Sequence, residues 1–275
     1  MSQPLLQLTH PAPEPDFPDW LTTLSPRLDV TAAREATGRQ FWTPAMLNAV
    51  SSLPAPGRFC PAGDLSPLLA ANHWIQTFTT RVVDKPAQGK DRQYVAVKWE
   101  AICPFVAPAT AENLLFLSVA QPDDPADSQA IYREMQRYRS FFQTLAPTAP
   151  PQHVLRAVVV LFPQTPGDVL MAATNHHNTP LKSELIADGT MLGEFYPDNP
   201  FTATWQADFP VLQSPVPFYV LRTLIETDWR FIHREPAWRE LYKARFGEPP
   251  DGDQYTFSGR CRSLAGRVIR RLGFG

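Results

Sequence analysis

Two of the chain's three cysteines precede a proline, in Cys60-Pro61 and Cys103-Pro104. A thiolate can ligate haem iron, and a proline after it turns the chain away from the metal. The same pattern describes a buried thiol beside a turn, since cysteine is among the most buried residue types. His176 and His177 are neighbours, so on a helix their side chains would point about 100° apart and share no face. Either imidazole suits axial haem ligation or general-base work, and either suits a solvated loop ahead of Pro180. His177 and Cys103 are therefore the candidate metal and cofactor ligands, with His176 as a further cofactor contact. His73 is a weaker candidate, and His153 and His233 read as peripheral.

Arg222 interrupts the apolar run Phe218-Tyr-Val-Leu221. A buried guanidinium needs a partner, because an unpaired buried charge is very costly. That partner is a substrate carboxylate, a haem propionate, or an acid of the chain, Asp228 or Glu226. Glu194, inside Met191-Leu-Gly-Glu-Phe195, raises the same question from the acidic side. Lys182 falls on the first turn of an expected helix, where a cation is slightly unfavourable. Glu194, Arg222, Asp228 and Lys182 are thus the candidate catalytic groups. The arginine would clamp a carboxylate, and the acids would orient a substrate nitrogen or relay protons. No G-x-G-x-x-G, phosphate loop, H-E-x-x-H, C-x-x-C or G-x-S-x-G occurs, which argues against NAD, ATP and zinc-peptidase chemistry.

These groups must be held by recognisable elements. Thr43-Pro44 and Ser66-Pro67 are helix starts, with a hydroxyl cap and proline in the first turn. The second leads a helix towards residue 80, and residues 84–92 read as a polar turn before a strand at Tyr94–Val97. Leu114–Val119 is a short apolar run suited to a buried strand. Ile131, Met135, Tyr138, Phe142 and Leu145 recur at alternating intervals of four and three, one stripe along a helix. Arg133, Arg137 and Arg139 lie off that stripe, on a solvated face. Val154–Phe162 is β-branched and the best central strand. Strand, helix and strand at this spacing suit a right-handed βαβ unit. Further helices are expected after residue 166, after Pro180 up to Gly189, and from Pro236 to Gly247. Strands are expected at Thr190–Phe195 and Pro217–Ile225, with a long loop over 196–214.

The fold class expected is α+β: a central mixed sheet of about five strands flanked by helices, with a Pro-rich N-terminal arm. Prolines number 30 in 275 residues, about 11% against an ordinary ~5%, and crowd the N-terminal part. The division expected is residues 1–60 as arm and short helices packed on the body, 61–250 as one α/β domain, and 251–275 as a basic tail. The net charge of −2 argues against a general grip on nucleic acid. No apolar run reaches the ~20 residues needed to span a bilayer, and Met1–His10 lacks the features of a secretory signal. Three scattered cysteines make no disulfide framework, so a reducing cytoplasm is the expected home.

Three segments together resemble an uncharacterised bacterial family, a domain of unknown function found in specialised-metabolism gene clusters. They are Ile102-Cys-Pro-Phe105, Leu181-Lys182 leading to Gly189-Thr-Met-Leu-Gly-Glu-Phe-Tyr-Pro197, and Ser214-Pro-Val-Pro217 through Arg222 to Asp228 and Phe231. The resemblance spans about residues 95–247. Thr190 departs from it, standing where an apolar residue is expected. More distantly, the order of Cys103-Pro-Phe105, Leu114–Val119, Val154–Phe162 and Pro217-Phe218 is similar to the YqcI/YcgG family of haem-dependent N-oxygenases. That likeness implies haem-dependent oxidation of a small amine, guanidine or amino-acid-derived metabolite. The alternative is a non-catalytic small-molecule-binding or accessory protein of a biosynthetic cluster, with a pathway enzyme or a second copy as partner. A cofactor-free isomerase or hydrolase using Glu194, Lys182 or His177 as base is the third possibility.

Overall fold

The computed structural model describes residues 18–61, 63–88, 94–175, 180–203, 208–233 and 235–248. The helices are α1 (Asp19–Thr22), α2 (Val30–Thr37), α3 (Pro44–Ser51), α4 (Leu65–Trp74), α5 (Val106–Ala111), α6 (Ser128–Thr144), α7 (Gly167–Asn175), α8 (Leu181–Ala187), α9 (Trp229–Ile232) and α10 (Pro236–Phe246). The strands are β1 (Val82–Gln88), β2 (Tyr94–Ala101), β3 (Leu115–Val119), β4 (Ala157–Leu161), β5 (Thr190–Phe195) and β6 (Phe218–Thr223).

The central sheet has the order β3-β4-β6-β5. β3 and β4 are parallel, while β6 runs antiparallel to both β4 and β5. The mixed sheet flanked by helices matches the expected class. Four described strands form it, and the expected strand at Tyr94 pairs outside it, antiparallel to β1. Residues 84–88 of the expected polar turn lie in β1, because Val82 to Gln88 finds β2 as a partner for its backbone groups.

The stretch from β3 through α6 to β4 follows from its sequence. β3 is buried throughout, and so are Val158 to Leu161 of β4, as an apolar strand covered on both faces requires. Asp127 caps α6 by accepting from the backbone N–H groups of Gln129 and Ala130. Its stripe, Ile131, Met135, Tyr138 and Phe142, is fully buried. Arg133 and Arg137 keep exposed side chains, as a solvated face predicts. Arg139 does not: it bridges Glu184 at 2.7 Å and Asp188 at 2.5 Å, because α8 packs beside α6.

Strand alternation assigns the two faces of the sheet. Ser118 Oγ lies 3.1 Å from Tyr138 Oη of α6, and the Tyr219 hydroxyl donates to the Leu170 carbonyl of α7 at 2.5 Å. α6 and α7 therefore cover the face that carries Ser118, Tyr219 and, across the β5–β6 ladder, Glu194. On the opposite face Trp74, at the end of α4, makes edge contacts with Phe195 and Phe218 at 5.8 Å. α4 continues as a π-helical turn over Ile75–Thr79, which brings Phe78 onto Trp74 at 4.9 Å.

Residues ahead of the sheet are part of the same core. Leu21, Leu28, Ala33, Phe41, Trp42, Met46, Leu47 and Val50 are buried in one cluster with the strands. Trp42 also makes a backbone bridge to the outer edge of β3, exchanging hydrogen bonds of 2.8 and 2.7 Å with Leu117. Thr43 caps α3 as its sequence predicts, accepting from Met46 N at 3.3 Å.

Candidate functional site

Two of the candidate side chains meet. Lys182 is the second residue of α8, and Glu194 stands near the end of β5, against which α8 packs. Their charged atoms are 3.5 Å apart, with side chains only 12% and 13% exposed. That spacing leaves the pair loose. Glu194 Oε1 is buried and makes no hydrogen bond among the described residues. A buried carboxylate oxygen in that condition is costly, and marks either a strained core or a place for a donor from outside the chain.

The surroundings are built from three other elements. The Lys182 ammonium stands 5.2 Å from the centre of the Trp238 ring of α10, a cation–π contact. The indole N–H of Trp238 donates to Ser183 Oγ at 2.9 Å, fixing the ring beside the lysine. Asn199 donates to the Glu194 carbonyl at 3.0 Å and so ties the following loop to the strand end. Tyr219 faces Glu194 across the ladder. Burial first, then the Glu194 carboxylate and Tyr196, push its phenol well above the ordinary value. Tyr196 is shifted the same way by burial, then by Glu194, Asp198 and Asp168. Both phenols therefore stay protonated as hydrogen-bond donors. The Tyr196 ring lies against Gly167, the first residue of α7, where an added Cβ would come within 2.3 Å of it.

Arg222 and Asp228 form a separate unit. Arg222 sits on the sheet face opposite Tyr219, and donates to both Asp228 oxygens, at 2.8 and 2.5 Å. Asp228 is buried and also accepts from Ile225 N at 2.9 Å, which locks the turn from β6 into α9. Of the partners that the sequence allows for Arg222, the chain's own Asp228 is the one seen.

Cys103 is a free, half-buried thiol in the bend between β2 and α5, its backbone N–H bound to the Thr79 carbonyl at 2.8 Å. Among the described residues no hydrogen bond or ion pair joins it to the Glu194–Lys182 pair. His176 and His177 lie outside the described residues, as does the basic tail. No group of three or more His, Cys, Asp and Glu side chains among the described residues could hold a metal ion.

Tyr196, Tyr219 and Trp238 were not singled out by sequence. Aromatic residues are common core material, and only the partly polar environment of these three sets them apart. His153, expected to be peripheral, is half-buried with its Nδ1 enclosed. Arg156, set in Val154-Leu-Arg-Ala-Val158, carries the same signal as Arg222, a charge within an apolar run.

A family model described as a domain of unknown function, DUF6875, matches residues 70–255. That is a wider span than the three motifs cover. No curated protein matches the chain, and no solved structure does.

Proposed function

The chain belongs to the DUF6875 family of domains of unknown function, and we propose that it binds a small amine-, guanidine- or amino-acid-derived metabolite between Lys182 and Glu194. The observation that carries this is Glu194 Oε1, enclosed and, among the described residues, without a hydrogen bond beside an ammonium 3.5 Å away. A ligand nitrogen supplies the missing donor. A ligand carboxylate satisfies the lysine, so a zwitterion completes both halves of the loose pair with charge-assisted hydrogen bonds. Trp238 forms an aromatic wall beside the ammonium. Tyr196 and Tyr219 stay neutral, so they add no competing negative charge.

The experiment is titration calorimetry with L-arginine, agmatine and acetate as probes. L-Arginine is expected to bind best, with Glu194→Gln and Lys182→Met each weakening it about tenfold, the value of one charged hydrogen bond. Agmatine, without the carboxylate, is expected to lose its dependence on Lys182. Binding of L-arginine that is unchanged in both variants removes this site from the reading.

The layout resemblance adds a chemistry to such a site: haem-dependent N-oxygenation of the bound metabolite in a bacterial specialised-metabolism pathway. A haem would need one axial donor and a slot for the macrocycle. No hydrogen bond or ion pair among the described residues joins Cys103 to the pair, and His177 lies outside the described residues. Haemin titration followed by absorption decides the point. A Soret band that shifts in Cys103→Ala or His177→Ala supports the oxygenase reading, and no band leaves the binding or accessory role.

A further inference from the structure

At the other end of β5 stand two arginines that pair with no carboxylate among the described residues. Arg156 is 8% exposed and precedes β4. Its Nε donates to Thr223 Oγ1 at 3.4 Å, one terminal nitrogen donates to the Leu145 carbonyl, and its guanidinium lies 4.7 Å from the centre of the Phe142 ring. No carboxylate pairs with it among the described residues. Arg245, in the last turn of α10, lays its guanidinium over Gly189, so closely that a Cβ there would be 2.2 Å from the guanidinium carbon. It too makes no ion pair or hydrogen bond among the described residues, and its guanidinium carbon also lies 6.0 Å from the centre of the neighbouring Phe246 ring. Gly189 and Thr223 are adjacent rungs: Leu224 N donates to the Gly189 carbonyl at 2.8 Å, and Thr190 pairs with Thr223. The Thr223 hydroxyl donates in turn to the His153 carbonyl at 2.7 Å. His153 thus joins the group, with Nδ1 buried and without a hydrogen bond among the described residues.

The charges do not cancel locally. Each guanidinium stands at a helix carboxyl end, α6 for Arg156 through Leu145 and α10 for Arg245. Each such end carries about half a negative charge, so two offset about one of the two positive charges. Arg156 is buried and Arg245 exposed, and neither guanidinium has a carboxylate partner among the described residues.

We infer that Arg156, His153 and Arg245 form a binding site for a small oxyanion, the phosphate or carboxylate group of a ligand. The planar guanidinium forks suit either group. Arg156 is the fixed half, held by a carbonyl, a hydroxyl and an aromatic face. Arg245 is the exposed half, and His153 is tied to Arg156 through the Thr223 hydroxyl. The site is independent of the Glu194–Lys182 reading, since Gly189 and Glu194 are five strand residues apart, about 16 Å.

The test is titration of inorganic phosphate and, separately, acetate into the full chain at constant ionic strength, read by calorimetry and by thermal unfolding. One or both should raise the melting temperature, and the anion that does so identifies the class of ligand. Arg245→Met, a change at an exposed side chain, should lower affinity about tenfold. Arg245→Lys should restore part of it. Arg156→Met should abolish binding if it folds, and the Arg245 pair of variants carries the test if it does not. No response to either anion, or a response that Arg245→Met leaves intact, overturns the inference.

Discussion

His153 sits where burial first, then the guanidinium groups of Arg156 and Arg245, hold its imidazole below the ordinary value. The unfolded chain binds that proton near pH 6.5 and the folded chain only at lower pH, so the unfolded state carries more protons between the two values. Stability is therefore full above about pH 7.5 and declines as pH falls through 6.5 towards the folded value. His153→Gln should remove that part of the slope in urea-unfolding midpoints measured between about pH 5 and 8, and an unchanged slope would assign it elsewhere. At this scale the sequence was only partly legible. Arg222 declared its need for a partner by interrupting an apolar run, and the bidentate contact with Asp228 answers it. Lys182 was visible as a cation on a helix's first turn, and Glu194 is the acid beside it. Arg156 stood out just as plainly, but its partners are a carbonyl, a hydroxyl and a ring, which no spacing rule exposes.

Elements were more legible than sites, because periodicity is local and site geometry is not. The stripe of α6, the β-branched run of β4, the proline-led starts of α3 and α10 and the glycine stop after α8 all lie where the pattern puts them. Gly189 takes φ +76°, the left-handed conformation that ends that helix. Pairing was the illegible part. Nothing in Tyr94–Ala101 says that its partner is the preceding Val82–Gln88 and not the central sheet. Asp127 is the clearest single device, since both of its carboxylate oxygens accept backbone N–H groups at the head of α6. Asp127→Ala should cost about 1 kcal/mol of stability, and Asp127→Ser only a few tenths, in denaturant unfolding. Equal losses would mean that the cap is incidental.

Across the whole molecule, the two polar clusters lie on one face of the sheet towards opposite ends of β5, Glu194–Lys182 at one and Arg156–Arg245 at the other. Substitutions this far apart with no shared partner act additively. Arg245→Met should therefore leave L-arginine binding unchanged, and Glu194→Gln should leave the phosphate response unchanged; any cross-effect above about twofold would join the two into one system. No described helix is long and apolar enough to cross a membrane. The family match begins at residue 70, and that boundary gives the Trp42–Leu117 bridge a particular meaning. A chain trimmed to residues 70–255 keeps all four strands of the sheet but surrenders the rung on the flank of β3, together with Phe41, Met46 and Leu47 from the core. Bare amides beside uncovered apolar surface recruit a second strand from solution. Light scattering should find the trimmed chain self-associating where the full chain stays monodisperse, which would make the N-terminal helices a guard against aggregation.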